Sequence, residues 1–139
     1  MKVKDVMHKG TTCVEPGTPV WEIAKRMRDN DVGAIPVKAD SQLVGIVTDR
    51  DIACRALGDS GNLAGITAKD IMTKNVVCCS PDDDVQVAIE TMEAKKIRRL
   101  PVTDSHKAMI GMLSLGDISH KVSKELSGEV LRAVSGHHG

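Results

Sequence analysis

The sequence predicts an α/β fold, with mixed α+β sheets, made of two similar halves, each in the order strand, helix, strand, strand, helix. Three observations predict it. Lys4-Asp5-Val6-Met7 recurs as Lys69-Asp70-Ile71-Met72, an offset of 65, and Pro16, Val20, Met27 and Pro36-Val37 find Pro81, Val85, Met92 and Pro101-Val102 at the same spacing. Each copy then carries one apolar stripe of helical period followed by two short β-branched runs. Gly45 and Asp51 match Gly111 and Asp117 one residue later, which puts an insertion between Val102 and Gly111, where a surface turn tolerates it. Two copies of about 60 residues are too few for a solenoid and suggest a pseudo-twofold pair sharing one core.

The elements follow in order. Thr12-Cys13-Val14 is a short strand candidate ending at Pro16-Gly17. Thr18 is placed to cap a helix with Pro19 at its first position, where a missing N–H is harmless. Val20, Ile23, Ala24 and Met27 form the stripe of that helix, repeated as Val85, Ala88, Ile89 and Met92. Ala34 to Lys38 and Leu43 to Val47 read as a strand pair joined by a turn at Ala39-Asp40-Ser41-Gln42; Arg99 to Thr103 and Met109 to Leu113 are its counterpart. A second helix begins near Thr48 and near Ser114. Gly58-Asp59-Ser60-Gly61-Asn62 is a linker by composition. The boundaries expected are therefore 1–60 and 61–121 for the two motifs and 122–139 for a helical tail, whose Leu126, Val130, Leu131 and Val134 could cover a sheet or join an interface.

Composition narrows the function. Acidic and basic residues are equal in number, 19 of each, so bulk attraction to duplex DNA or an anionic membrane is not expected. With one Trp and no Phe or Tyr there is no aromatic platform for single strands. No run approaches the roughly 18 apolar residues of a membrane span, and Met1 to Gly10 does not read as a secretory signal, so a cytoplasmic protein is expected. Cys13, Cys54, Cys78 and Cys79 form no CxxC pair and are read first as small buried hydrophobes, with redox chemistry, suggested by the adjacent Cys78-Cys79, as the minor reading; no metal site is expected. His8, His106, His120, His137 and His138 lie in turn-like or terminal settings without a partner for catalysis.

The residues that carry chemistry sit where the third strand of each copy meets the following helix. The first copy has Gly45-Ile46-Val47-Thr48-Asp49-Arg50-Asp51-Ile52, the second Gly111-Met112-Leu113-Ser114-Leu115-Gly116-Asp117-Ile118. A hydroxyl followed three residues later by Asp is first of all a helix-capping pattern. The same geometry lets a carboxylate at a helix start accept hydrogen bonds from a ribose diol, with the hydroxyl assisting phosphate or sugar. The two readings are compatible, and the pattern stands at equivalent places in both copies.

The Met that opens each copy, the Ile-Pro-Val and Leu-Pro-Val strands and Gly-Ile-Val-Thr-Asp-Arg-Asp-Ile together resemble the CBS-motif pair, or Bateman module, over roughly Val3 to Ser119. Similarity to small stand-alone CBS-pair proteins implies two motifs related by pseudo-twofold symmetry, a homodimer, and two clefts for AMP, ADP, ATP, NAD or S-adenosylmethionine as a regulatory ligand, with no obligatory cofactor. Asp51 and Asp117 match the family's ribose-binding acids, and Thr48 and Ser114 its hydroxyls. The adenine pockets would draw on Met7 to Thr12, Val32 to Ile35, Met72 to Val77 and Ile97 to Leu100. Thr12, Val32, Gly33, Ile35, Pro36, Val77, Leu100 and Pro101 are the candidates beside the Pro-Val strands. Arg98 and Arg99 precede the second such strand where Gly33 and Ala34 precede the first. As phosphate clamps they would favour nucleotide at the Asp117 cleft, an asymmetry that Arg50, opposite Gly116, could soften; as strand-edge charges they would only be solvated.

Three functions compete. A nucleotide-sensing module acting in trans on a protein target works by linkage between ligand and conformation. An interaction or assembly module would leave its clefts empty; the retained hydroxyl and acid in both copies weigh against it. An enzyme would need a motif, and the chain has no GxGxxG, no GxxxxGK[ST], no HExxH and no nucleophile elbow. Nucleic-acid binding lacks the positive charge it requires.

Overall fold

The computed structural model describes residues 1–58, 61–121, 132 and 134, so the expected helical tail lies outside the described residues except at Arg132 and Val134. The chain forms two compact units, one of Thr12–Val76 and one of Met1–Thr11 with the chain from Val77 onward. These units do not follow the sequence copies. Each takes the opening segment of the other copy, because that segment has a short apolar helix whose buried face needs a sheet to cover.

In the unit of residues 12–76, helix α2 (Val20–Asn30) leads into an antiparallel pair, β1 (Ala34–Ala39) and β2 (Gln42–Thr48). A helical turn, α3 (Asp49–Asp51), continues into π-helical Ile52–Leu57, and α4 (Ala68–Ile71) closes the unit. The core is Val14, Val20, Ile23, Met27, Ile35, Val37, Val47, Ala56, Ala68 and Ile71. In the other unit, α1 (Val3–Val6) packs with α5 (Val85–Lys95), β3 (Arg99–Thr103), β4 (Met109–Ser114) and α6 (Leu115–Lys121). Its core is Val3, Val6, Cys79, Val85, Ala88, Ile89, Met92, Leu100, Val102, Leu113 and Ile118. The described core residues fall into two clusters, one in each unit.

The stripes are as the spacing predicts: Val20, Ile23 and Met27 are buried on α2, and all four of Val85, Ala88, Ile89 and Met92 on α5. Both helices end in a left-handed residue at matching positions, Asp31 (φ 53°) and Lys96 (φ 56°). The strand expected at Thr12–Val14 is reduced to one parallel bridge between Val14 and Val37, matched by Cys79 and Val102. The cap expected of Thr18 is absent: Pro19 occupies the N-cap position with no side-chain bond, while Thr18 Oγ1 accepts from the Glu15 N–H and its carbonyl from the Ala68 N–H. The turn between β1 and β2 is two residues long, Asp40 (φ 50°) and Ser41 (φ 71°) both left-handed, the hairpin form whose twist matches the strands. The inserted residue of the second copy is absorbed in the longer Asp104–Ala108 turn, where Asp104 Oδ1 accepts the N–H groups of His106 and Ala108.

The opening segments lock onto the sheets by the outer edges of β2 and β4. Ile46 exchanges both backbone hydrogen bonds with Thr73, and Met112 does the same with His8. This close approach requires glycine next door. A Cβ on Gly45 would lie 2.5 Å from Met72 Sδ and 3.1 Å from the Thr73 carbonyl oxygen; on Gly111 it would lie 2.8 Å from Met7 Sδ and 2.9 Å from the His8 carbonyl oxygen. The repeated Met and the repeated Gly are therefore two sides of one contact, made once in each unit.

Of the four thiols expected to be buried, only Cys79 is; Cys13 is half-buried, and Cys54 and Cys78 are exposed. Cys54 lies in the π-helical segment, which the sequence does not announce. Cys78 and Cys79 project to opposite sides of an extended chain, so one of the pair must face away from the core.

Candidate functional site

Each unit brings one hydroxyl–acid pair to the end of its hairpin. In residues 12–76 the Asp51 N–H donates to Thr48 Oγ1 (3.1 Å) and the Thr48 N–H to Asp51 Oδ2 (2.9 Å). In the other unit the Asp117 N–H donates to Ser114 Oγ (3.1 Å) and the Ser114 N–H to Asp117 Oδ2 (2.9 Å). The capping reading is thus realised in both copies, with Asp able to close the box despite its short side chain. It leaves acceptor capacity on each carboxylate, so capping and ligand binding do not exclude one another.

The other candidate residues divide evenly between the units. Thr12, Val32, Gly33, Ile35 and Pro36 belong with Thr48 and Asp51; Val77, Arg98, Arg99, Leu100 and Pro101 belong with Ser114 and Asp117. Ile35 and Leu100 are fully buried core residues, so only their backbones could meet a ligand. Pro36 and Pro101 are also buried, their carbonyls accepting the N–H groups of Val14 and Cys79. Thr12, Val32 and Val77 are half-buried, and Gly33, Arg98 and Arg99 exposed.

Charge separates the two pairs. The Gly33 carbonyl accepts the Asp49 N–H (2.9 Å), and the Arg98 carbonyl accepts the matching Leu115 N–H (3.1 Å). Where the first copy has Gly33 under Asp49, whose Oδ2 lies 3.1 Å from the position a Cβ would take, the second has Arg98 beside Leu115. In register Ala34 pairs with Thr48 and Arg99 with Ser114. The first pair thus has an extra carboxylate, Asp49, together with Arg50 and Arg55 nearby in the chain, and the second has Arg98 and Arg99. Sequence comparison found the Arg side of this difference and missed Asp49, although it stands between the quoted Thr48 and Asp51.

Two further residues reach the acids. Arg55, one turn after Asp51, has Nε 3.7 Å from Asp51 Oδ1, and its Nη1 donates to the carbonyls of Ile71 (3.1 Å) and Met72 (3.3 Å) at the end of α4. His8, read from the sequence as a surface histidine without a partner, has Nδ1 2.7 Å from Asp117 Oδ2. The only available signal was indirect: His8 follows Met7, and the Met7 segment pairs with the strand that leads to Asp117.

The CBS domain family model matches residues 3–58 and 68–124, and the chain belongs to that family. It is 34% identical over 134 residues to the CBS domain-containing protein YhcV of Bacillus subtilis, covering 96% of this chain and 94% of that one. It is also 37% identical over 123 residues, 88% of its own length, to homoserine O-acetyltransferase of Methanohalobium evestigatum, but spans only 24% of that enzyme. Among solved structures, CBSX2 in complex with AMP superposes with a TM-score of 0.76 at 27% identity, over 86% of this chain and 93% of that one. The CBS domain pair of protein MJ0100 in complex with 5′-methylthioadenosine and S-adenosyl-L-methionine gives 0.74 at 28% identity, over 93% and 98%. No helix among the described residues is long and apolar enough to cross a membrane.

Proposed function

We propose that this protein is a non-catalytic sensor that binds an adenosyl ligand through its hydroxyl–acid pairs and acts in trans on a protein target. The observation that carries the reading is the occurrence of the same Thr/Ser–Asp pair, with acceptor capacity to spare, in both copies of a CBS pair. The AMP and S-adenosylmethionine complexes of CBSX2 and MJ0100 support the ligand class. AMP, ADP, ATP, NAD and S-adenosylmethionine share the ribose diol that a carboxylate accepts. The working form in this reading is a cytoplasmic homodimer whose conformational balance shifts with the ligand.

Charge assigns the ligands. Arg98 and Arg99 favour phosphorylated ligands at the Asp117 site, since a guanidinium fork pairs with phosphate oxygens. At the Asp51 site Asp49 offsets Arg50 and Arg55, which weakens the preference for phosphate there and suits an uncharged or cationic adenosyl group such as S-adenosylmethionine better than the Asp117 site does. Calorimetric titration of ligand-stripped protein with AMP, ATP, NAD and S-adenosylmethionine tests this. The expected outcome is saturable binding, with Asp117→Ala weakening AMP more than tenfold and Asp51→Ala weakening it less. Equal losses in the two variants refute the asymmetry. No binding of any of the four, up to roughly millimolar concentration, refutes the sensor and leaves the assembly module.

A further inference from the structure

Asp51 and Asp117 occupy matching positions, yet only Asp117 has a ring against its carboxylate. Asp117 Oδ2 accepts the Ser114 N–H and stands 2.7 Å from His8 Nδ1. A carboxylate oxygen has two lone pairs, so with Nδ1 protonated this oxygen is saturated. A ribose diol that spans both oxygens must first displace the ring. Asp51 meets no such obstacle. Its Oδ2 accepts one N–H, from Thr48, and Arg55 Nε at 3.7 Å from Oδ1 is beyond hydrogen-bond distance. The residue that matches His8 in the unit of residues 12–76 is Thr73, which is exposed.

The ring is free to leave without disturbing the fold. The His8 side chain is 48% exposed, while its backbone is held by two 3.0 Å hydrogen bonds to Met112. Release is then a side-chain rotation into water. What differs between ligands is the compensation they bring. Adenosine offers a diol alone, in exchange for an existing charge-assisted contact. A phosphorylated ligand adds its pairing with Arg98 and Arg99, which flank the same hairpin end.

We infer that His8 is a specificity-determining residue of the second site: it holds Asp117 against uncharged nucleosides and yields to phosphorylated ones. The inference rests on the adenosyl reading above. Adenosine and AMP are titrated into Asp51→Ala protein, which leaves only the second site, and into the same protein carrying His8→Thr, which installs the residue found at the matching place beside Asp51. The added substitution tightens adenosine about threefold to fivefold, the scale of a half-exposed side-chain contact to a carboxylate, and alters AMP less, so the preference for AMP shrinks. An unchanged preference, or parallel weakening of both ligands, overturns the role of His8 and leaves the sensor standing. No binding of either ligand to the unaltered protein overturns both. Where the double variant fails to fold, Thr73→His in Asp117→Ala protein serves instead, and weakens adenosine more than AMP. A readout without ligand is the imidazole tautomer by nitrogen-edited NMR: the His8 proton resides on Nδ1 in the unaltered protein and redistributes in Asp117→Ala. A ring protonated on Nε2 alone in the unaltered protein overturns the inference outright.

Discussion

Cys79 lies in the core with its Sγ 3.8 Å from the Pro101 carbonyl, whereas its neighbour Cys78 is exposed. Burial first, then the negative charges of Asp83 and Cys78, push the Cys79 thiol up to about 12. The neutral thiol is the form the fold favours, so its contribution to stability is complete below the ordinary value of 9.0 and declines as pH rises towards about 12. Only a thiolate attacks an alkylating reagent. Iodoacetamide at neutral pH is therefore expected to label Cys78 and Cys54 in the native protein and to reach Cys79 only on unfolding; equal labelling of Cys78 and Cys79, read by peptide mass spectrometry, would contradict the burial. Legibility at this scale followed sequence distance. The Thr48–Asp51 and Ser114–Asp117 pairs span three residues and could be read as caps or ligands directly. The His8–Asp117 contact spans 109 residues and could not.

At the scale of elements, the helices α2 and α5 and both hairpins were legible because their apolar periodicity and turn composition are local. What escaped was decided by distant partners. Thr18 has the right chemistry for a cap, but its carbonyl is bound by Ala68 and its hydroxyl by Glu15, so the helix starts without it. The helices α1 and α4, at the repeated Lys-Asp-Val/Ile-Met, are too short to show a period. Each is set by an acid three residues in, Asp5 accepting the Lys2 N–H and Asp70 the Thr67 N–H. The β1–β2 turn offers a direct test of element energetics. Ser41 holds a left-handed φ of 71°, which glycine adopts without the Cβ clash. Ser41→Gly is expected to stabilise the protein by about 1 kcal/mol in urea unfolding; a loss of stability would show that the Ser41 side chain contributes more than its backbone strain removes.

For the whole molecule, the sequence copies and the packing units are different divisions of the same chain. Residues 12–76 contain every member of one core cluster, from Val14 to Ile71. Residues 1–60 lack Ala68 and Ile71 and carry Val3 and Val6 without the sheet that covers them. A fragment of residues 12–76 is therefore expected to show a cooperative thermal transition by circular dichroism, and a fragment of residues 1–60 to show none; the opposite result would mean that the copies, not the exchanged units, are the folding modules. The repeat made the internal duplication readable, but nothing local in Lys4-Asp5-Val6-Met7 says which sheet it joins. The same exchange imposes an order on synthesis. Val3 donates to Asp83, Lys4 to Pro81 and His8 to Met112, so these residues wait on the ribosome for partners made far later. The core of residues 12–76 can close once Thr73 has emerged, whereas Val3 and Val6 stay uncovered until Ile118 has been added. A nascent chain thus carries the segment of Val3 and Val6 unpaired while the intervening residues up to Ile118 are made, and that interval is when it is most open to chaperones and to misassembly.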